Sequence, residues 1–415
     1  MSAFRYRDGE IYAEGVALTA LAERFGTPLY VYSRAMLEEA FHRFDAAFAG
    51  VAHLVCYAVK ANSSLAVLDV FARQGCGFDV VSGGELARVL AAGGDPSRVV
   101  FSGVGKSVAE MDAALAAGIL CFNVESAAEL ERLAAVAAKA GRRARVSLRI
   151  NPDVDARTHP YIATGLKASK FGIAHTDAVA LYRRAAAMPS LEVTGIDFHI
   201  GSQITDLGAF VEAAARIFEL VDTLAAEGIL LSHVDLGGGL GVRYQDENVI
   251  AIDAYAAAVR TAAGARTQRL MFEPGRLLVA DAGVLVTRVE YLKRGEEKSF
   301  AIVDAAMNDL LRPALYDAWH GVDPVRPRDA AADTWEVVGP VCESADFLAR
   351  ARKLALAPGD LLAIRSAGAY AMAMSSNYNT RPRACEVMVD GEIAHPVRAR
   401  ERVEDLYATE RTLPR

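Results

Sequence analysis

Two residues with reactive side chains follow apolar runs of the chain. Lys60 comes directly after the run LVCYAV, and His199 lies at the end of GIDFHI. A lysine is most often a solvated surface group, but partial desolvation lowers its pKa and frees the amine for Schiff-base chemistry. A histidine in such a place can serve as a base, a ligand or a flat stacking surface. Both residues are therefore candidates for chemistry.

Two further motifs add an anion site and a carboxylate. Residues 235–241 read DLGGGLG, and consecutive glycines let backbone amides approach an anion such as phosphate. Glu273 precedes Pro274, Gly275 and Arg276; it could act as a base, a metal ligand or a partner for a ring nitrogen, or simply pair with Arg276. None of the eight histidines has ligand spacing such as HExxH, so we predict no metal site.

Eight apolar runs alternate with helical patterns through the first two-thirds of the chain, and they must position these residues. The runs are LVCYAV (54–59), GFDVV (77–81), VVFSG (99–103), ILCFNV (119–124), RVSLRI (145–150), GIDFHI (195–200), HVDLGG (233–238) and LMFEPG (270–275). This alternation predicts an α/β fold with parallel strands, either a (β/α)8 TIM-like barrel or an open doubly wound sheet. In a barrel, polar residues at the strand ends converge on one mouth.

The texture changes near residue 284, where strand-like runs with Gly, Pro and Asp turns replace the helical patterns. We predict a mostly antiparallel β-domain, a sandwich or barrel, in residues 281–415 joined by residues 1–29, and a barrel over 30–280. The N-terminal run IYAEGVAL is expected to be a strand of the β-domain. Residues 321–332 are expected to form an exposed loop.

Composition narrows the class of protein. The 415 residues carry a net charge of −7, which argues against a nucleic-acid partner. No apolar run reaches the roughly 18 residues that a membrane span needs. The N-terminal residues show no apolar core of a secretory signal, and five scattered cysteines suit a reducing compartment. A cytoplasmic protein without a membrane partner is the expectation.

Seven motifs, in order, resemble those of diaminopimelate decarboxylases, which are fold-type III pyridoxal-phosphate enzymes. They are YAVKAN, DFHIGSQI, DLGGGLG, EPGR, RPALY, CESAD and GAYAMAMSSNYN, and the resemblance runs from about residue 26 to 379. YAVKAN or DLGGGLG alone would indicate only the wider fold type. The resemblance implies pyridoxal 5'-phosphate as cofactor.

The resemblance also implies which residues bind the cofactor. Lys60 would bind its aldehyde covalently, His199 would stack on its ring, and Glu273 would bind its pyridine nitrogen. Tyr370 would contact both cofactor and substrate. The residues that would hold the phosphate are Ser202, Gly237, Gly238, Gly239, Gly275 and Arg276.

The same resemblance assigns the substrate. Arg276, Arg312 and Tyr316 would hold a distal carboxylate, Glu343 would bind the distal amino group, and Cys342 would donate the proton. In the family the last two residues reach the site from the partner subunit, which implies a homodimer with shared active sites. The expected reaction is decarboxylation of meso-2,6-diaminopimelate to L-lysine and carbon dioxide, the last step of lysine biosynthesis.

Chemistry supports this assignment and leaves alternatives open. A carboxylate such as Glu273 keeps a pyridine nitrogen protonated and favours decarboxylation over racemisation. An ornithine has no distal carboxylate, so two arginines placed to hold one would be left unpaired. The alternatives are a related decarboxylase acting on a D-amino acid, on ornithine, lysine or arginine, or on a carrier-bound glutamyl group; a cofactor-carrying barrel without catalysis; and a barrel hydrolase without the cofactor. The polar segment 153–169 is expected to influence access to the site.

Overall fold

The protein was analysed as a computed structural model that describes residues 3–155 and 170–415. Most of the polar segment 153–169, for which a role in access is predicted, therefore lies outside the described residues. The chain forms two compact units. Unit 1 comprises residues 1–39, 244–246 and 279–415, and unit 2 comprises residues 40–243 and 247–278.

The strands and helices have the following bounds. The strands are β1 Phe4–Arg7, β2 Glu10–Ala13, β3 Val16–Ala17, β4 Leu29–Ser33, β5 His53–Ala58, β6 Gly77–Val80, β7 Val99–Phe101, β8 Cys121–Val124, β9 Ala144–Asn151, β10 Ile173–Ala174, β11 Leu191–Asp197, β12 His233–Asp235, β13 Arg269–Phe272, β14 Gly283–Lys293, β15 Ser299–Val303, β16 Val322–Pro324, β17 Asp333–Val338, β18 Phe347–Leu354, β19 Leu361–Ile364, β20 Cys385–Asp390 and β21 Ile393–Arg398. The helices are α1 Leu18–Phe25, α2 Arg34–Ala47, α3 Leu65–Arg73, α4 Gly83–Ala91, α5 Val108–Ala117, α6 Ala127–Lys139, α7 Ala178–Ala186, α8 Leu207–Ala226, α9 Ile252–Ala263, α10 Arg276–Val279, α11 Arg312–Tyr316 and α12 Val403–Leu406.

Unit 2 is a closed barrel of eight parallel strands. The pairing runs β5, β6, β7, β8, β9, β11, β12 and β13, and β13 pairs with β5 to close the ring. Each predicted apolar run overlaps one of these strands. Strands covered on both faces are apolar throughout, which is why such runs are visible in a sequence. The predicted TIM-like barrel is confirmed, and the open doubly wound sheet is wrong.

Serine residues cap the starts of three barrel helices, and a glycine follows the end of one of them. At the start of α5, the Ser107 hydroxyl accepts from the backbone N–H of Glu110, and the Glu110 carboxylate accepts from the N–H of Ser107. At the other end, Gly118 adopts a left-handed conformation that stops the helix. Ser82 and Ser126 cap α4 and α6 in the same way as Ser107. These caps fix where each helix begins, and therefore how each strand-to-helix loop leaves the barrel.

Unit 1 contains a mostly antiparallel sheet in the order β18, β17, β15, β14, β4, β20, β21, with β19 paired to β14 and to β16. The predicted β-domain is confirmed as a fold class. Strand β4 pairs with β14 and β20, and so belongs to this sheet. The units change at residues 39/40 and 278/279, whereas the predicted boundaries lie at 29/30 and 280/281.

Two local features differ from the expectations. The run IYAEGVAL is a hairpin of β2 and β3 rather than one strand, because Glu14 turns the chain with a φ of 51°. The expected loop 321–332 begins with β16. No helix in residues 3–155 and 170–415 is long and apolar enough to cross a membrane.

Candidate active site

The carboxyl ends of the eight parallel strands, called the barrel mouth below, bring a lysine and a buried aspartate together. Lys60 follows β5, and its Nζ lies 2.6 Å from Oδ2 of Asp79 on β6. The Lys60 side chain is 36% exposed, whereas Asp79 is fully buried. The Oδ1 atom of Asp79 has no hydrogen-bond partner in the described part of the chain. The amine is thus accessible from the mouth and anchored from below by one carboxylate.

A carboxylate that follows β13, the strand next to β5 in the ring, is also fixed in place. Glu273 follows β13 and is buried. Its Oε1 accepts from Nδ2 of Asn123 at 3.2 Å and from the hydroxyl of Ser102 at 3.4 Å, and Asn123 also donates to Ser102 at 3.1 Å. Asn123 lies on β8 and Ser102 follows β7. Three strands therefore determine the direction of one carboxyl group.

Glu273 belongs to a cluster of buried acids at the centre of the mouth. One carboxylate oxygen each from Asp197, Asp235 and Glu273 lies within 4.8 Å of the others. Burial, with the neighbouring acids, raises the pKa of Glu273 and of Asp197 well above their usual range, and burial raises the pKa of Asp235 to about 7. Nε of Arg149 lies 4.0 Å from Asp197. Burial among other acids thus favours the protonated forms of this cluster.

His199 follows β11 and presents a neutral ring. Its Nδ1 accepts the backbone N–H of Gly238 at 3.2 Å, so the ring proton is on Nε2. Burial, with the nearby charges of Arg149 and Lys60, lowers the pKa of His199 well below its usual range. A neutral ring held at one nitrogen is suited to stacking and is a poor acid.

The three glycines after β12 are required by close backbone packing. A Cβ on Gly238 would lie 2.1 Å from the carbonyl oxygen of Glu273, and a Cβ on Gly239 would lie 2.3 Å from that of Gly201. Gly237 and Gly239 also have φ values of 63° and 111°. Any side chain here would push apart the turns that carry His199 and Glu273.

Two of the three glycine amides have acceptors inside the barrel. The N–H of Gly237 donates to Oδ1 of Asp235 at 2.9 Å, and that of Gly238 donates to His199. Next to this turn, Nη2 of Arg276 donates to the hydroxyl of Ser202 at 3.0 Å. Arg276 comes from the loop after β13 and Ser202 from the loop after β11, on either side of the glycine turn after β12. Barrels often hold phosphate at the loops after their seventh and eighth strands, which here are β12 and β13.

The groups at the barrel mouth match the parts of pyridoxal phosphate one by one. The primary amine of Lys60 suits an aldehyde, and the neutral ring of His199 suits a flat aromatic face. The buried carboxyl of Glu273 suits a pyridine nitrogen. A glycine cradle with Arg276 and Ser202 suits a phosphate. The donor set of this barrel therefore fits the predicted cofactor.

Unit 1 carries the other predicted site residues. Arg312 and Tyr316 lie on α11, four residues apart and hence on one side of the helix; Arg312 is buried and Tyr316 is half-buried. Nη1 of Arg312 lies 2.8 Å from Nε2 of His320. Tyr370 is half-buried and has a φ of 53°. A residue other than glycine with this backbone conformation is often found where function fixes a side chain.

Cys342 and Glu343 are both exposed in unit 1, and Cys342 is the exposed one of five free cysteines. The backbone N–H of Cys342 donates to Oδ1 of Asn379 at 3.2 Å, and the hydroxyl of Tyr378 donates to Glu343 at 2.5 Å. The structure thus unites nine predicted residues at the barrel mouth and places five in unit 1. The nine are Lys60, His199, Ser202, Gly237, Gly238, Gly239, Glu273, Gly275 and Arg276, and the five are Arg312, Tyr316, Cys342, Glu343 and Tyr370.

Sequence reasoning did not assign roles to the buried aspartates. Asp79, Asp197 and Asp235 each stand within or at the end of an apolar parallel strand. An acid inside such a strand is costly unless it is paired or protonated, so its position alone was a usable signal. His320, Tyr244, Tyr378 and Asn379 gave no comparable signal, because their partners are distant in the sequence or lie in loops.

Comparisons with known proteins agree on one group. The family described as "Pyridoxal-dependent decarboxylase, pyridoxal binding domain" matches residues 34–280. A diaminopimelate decarboxylase of Pseudomonas aeruginosa is 63% identical over 414 residues, and one of Vibrio cholerae is 58% identical over 416, each with full coverage of both chains. The crystal structure of the Helicobacter pylori diaminopimelate decarboxylase complexed with L-lysine is 43% identical with a TM-score of 0.92, covering 95% of this chain and 99% of that one. The enzyme of M. jannaschii in complex with L-lysine is 36% identical with a TM-score of 0.94, covering 99% and 98%.

Proposed function

Because this chain belongs to the diaminopimelate decarboxylase family of pyridoxal-dependent enzymes, we propose that it converts meso-2,6-diaminopimelate to L-lysine and carbon dioxide. This carboxy-lyase reaction is the last step of lysine biosynthesis. One observation carries the proposal: an accessible amine, a neutral imidazole and a buried carboxyl all follow carboxyl ends of strands in one parallel barrel. A hydrolase without the cofactor has no use for this combination.

Bound pyridoxal phosphate supplies an electron sink for the pair of electrons left when carbon dioxide departs. The residues of the chain bind and tune it. We assign Lys60 to the aldehyde through Nζ and His199 to the face of the ring. Ser202, Arg276, Gly275 and the glycine turn take the phosphate. Because the amides of Gly237 and Gly238 already have acceptors, Gly239 is the best amide donor of the three.

Glu273 has the role of holding a proton at Oε1 or Oε2 next to the pyridine nitrogen. Burial and the neighbouring Asp235 and Asp197 raise its pKa, so Glu273 shares a proton with a basic nitrogen readily. Ser102 and Asn123 hold Oε1 by hydrogen bonds and so fix which way the carboxyl points. A guanidinium has no lone pair and could not accept a proton from the pyridine nitrogen. The carboxyl of Glu273 therefore supports decarboxylation rather than racemisation.

Substrate choice follows from charge. Arg312, with Tyr316 on the same helix and Arg276 at the barrel mouth, is assigned to the distal carboxylate, since arginine pairs with carboxylates through two parallel hydrogen bonds. Glu343 is assigned to the distal ammonium, and Tyr370 to both cofactor and substrate. Ornithine offers the distal ammonium but no distal carboxylate, so it has no group for the buried Arg312 to bind.

The last step needs a proton, and Cys342 is its proposed donor. A thiol can donate its proton in general acid catalysis. Cys342 and Glu343 are exposed within a single chain, where water would compete with both. We therefore infer a homodimer in which Cys342 and Glu343 complete the site of the partner subunit. We also propose a cytoplasmic location for the enzyme. The division into domains at residues 30 and 280 stays a prediction.

A panel of substrates tests the function. Release of carbon dioxide is compared for meso-2,6-diaminopimelate, L-ornithine, L-lysine, L-arginine and D-lysine with the same enzyme preparation. We expect diaminopimelate to be preferred by a factor of about 10⁴ in kcat/KM, because a site built for a polar group rejects substrates that lack it. Faster turnover of ornithine or of D-lysine would overturn the substrate assignment while leaving the cofactor assignment standing.

A further inference from the structure

A buried histidine touches the arginine assigned to the substrate. Nη1 of Arg312 lies 2.8 Å from Nε2 of His320, and Nδ1 of His320 lies 2.8 Å from the carbonyl oxygen of Arg365. A carbonyl oxygen only accepts, so Nδ1 carries the ring proton. Nε2 then has a lone pair, and the guanidinium donates to it. The two hydrogen bonds together define a neutral ring and a single tautomer.

An aromatic face completes the support of the guanidinium. Cζ of Arg312 lies 4.4 Å from the centroid of the Tyr244 ring, and the same ring meets His320 edge-on at 5.2 Å. His320 therefore holds one edge of the planar cation and Tyr244 holds one face. In the sequence, residues 244–246 lie between two segments of unit 2, but they belong to unit 1, as Arg312 and His320 do.

The histidine is itself held rigidly. It has no exposed surface, and Nη2 of Arg352 donates to its carbonyl oxygen at 3.0 Å. The next strand, β16, pairs antiparallel with β19, and the N–H of Arg365 donates to the carbonyl of Gly321 at 2.8 Å. The acceptor for Nδ1 thus comes from the neighbouring strand of the ladder. A sheet, rather than a flexible loop, sets the position of this ring.

We propose that His320 and Tyr244 are positioning residues that hold the Arg312 guanidinium in place for the distal carboxylate of the substrate. The inference rests on the proposed function, which assigns Arg312 to that carboxylate. A long arginine side chain normally loses freedom when it binds, and fixing it beforehand removes that cost. The pair therefore contributes to the preference for amino acids that carry a second carboxylate.

Two ligands that differ by this carboxylate test the proposal on the holoenzyme. L-Lysine carries it and cadaverine does not, and calorimetric titration measures the affinity for each without turnover. In His320→Phe, which keeps a ring but removes the acceptor, we expect L-lysine to bind about 10- to 100-fold more weakly, the range for a hydrogen bond to a charged group. Cadaverine should change less than about twofold. His320→Gln, whose amide oxygen can accept from Arg312, should recover most of the affinity.

Tyr244→Leu is a second variant that leaves the buried histidine in place. Losing the aromatic face should weaken L-lysine about 3- to 10-fold and spare cadaverine. Equal weakening of both ligands, or unchanged L-lysine binding in both variants, would overturn the inference. If the wild-type enzyme itself shows no preference for L-lysine over cadaverine, the proposed function has failed instead.

Discussion

The barrel mouth and the Cys342 loop, residues 341–346, enclose their reactive groups in opposite ways. At the barrel mouth Glu273 is buried and accepts hydrogen bonds from Asn123 on β8 and from Ser102, which follows β7. In the Cys342 loop, residues 342–345 are exposed. The fold of one chain completes the first region and leaves the second open to water. A proton donor that acts beside a carbanion needs protection from water, which supports the proposal that a partner subunit covers this loop.

The base of the Cys342 loop, in contrast, is held in place by hydrogen bonds within the chain. Both carboxylate oxygens of the buried Asp346 accept backbone N–H groups, from Met307 at 2.6 Å and from Val341 at 2.8 Å. A Cβ on Gly339 would lie 2.5 Å from the same carboxylate. The loop therefore has a fixed base and an exposed tip, as expected of a segment that is inserted into a partner without refolding.

The largest expected effect is the loss of the Lys60 amine. We expect Lys60→Ala to lower kcat by a factor of about 10⁴ or more and to abolish the visible absorption band of the bound cofactor, because the amine assigned to the aldehyde is then missing. Lys60→Arg is the matched control: it keeps a cation beside Asp79 but has no free amine, and it should be equally inactive. Activity or an unchanged band in Lys60→Ala would remove the barrel mouth from the chemistry.

Removal of the Cys342 thiol should come next. Cys342→Ala is expected to lower kcat by a factor of about 10² to 10⁴, the range for general acid catalysis, with the cofactor absorption band unchanged. Ser344→Ala, at another exposed position of the same loop, should behave like the wild type. Mixing Lys60→Ala with Cys342→Ala subunits should restore up to about a quarter of wild-type activity, since a mixed dimer keeps one intact site. Absence of rescue despite demonstrated subunit exchange would contradict shared sites.

The sequence predicts the barrel mouth more completely than it predicts the Cys342 loop. The apolar runs predict the eight barrel strands, and polar residues such as Lys60 and Glu273 are visible because they follow or end such runs. The partners of these residues are harder to infer. Which buried acids share protons depends on the closing of the ring, since Asp197 and Glu273 come from strands 76 residues apart in sequence (273 − 197 = 76).

The exposed loop and its supports could be inferred only from motif resemblance. CESAD and SSNYN have no periodicity, and the contact of Glu343 with Tyr378 spans 35 residues. His320 is equally silent in the sequence, because its acceptor on Arg365 is set by the pairing of two short strands. Strand-end chemistry is thus predictable from local patterns, whereas loop chemistry depends on contacts that only the folded chain defines.

A smaller effect is expected from the tyrosine that holds the tip of the Cys342 loop. The Tyr378 hydroxyl donates to Glu343, which raises the pKa of Tyr378 above its usual range and keeps it protonated. Tyr378→Phe removes this hydrogen bond, and we expect KM for diaminopimelate to rise about 3- to 10-fold with kcat little changed. Tyr407→Phe, at another exposed tyrosine of unit 1, is the control. A fall in kcat at constant KM would instead assign Tyr378 to the proton transfer of Cys342.

The smallest expected effect concerns the acids of the barrel mouth and appears in stability rather than activity. Burial raises the pKa of Asp235 to about 7. A group with a raised folded-state pKa stabilises the fold below its unfolded pKa, and this contribution is lost as pH rises through the folded value. Asn cannot ionise, and its side-chain oxygen can still accept the Gly237 N–H.

Asp235→Asn should therefore raise the Tm of the cofactor-free protein by about 3 °C at pH 8.5 and change it little at pH 5, because each kcal/mol shifts Tm by about 2–4 °C in a domain of this size. Calorimetry at the two pH values measures this difference, with Asp112→Asn on the exposed surface of α5 as the control. An equal shift at both pH values would mean that Asp235 is already ionised at pH 5. The barrel mouth would then be a site of paired charges rather than of stored protons, and its contrast with the exposed loop would be one of burial alone.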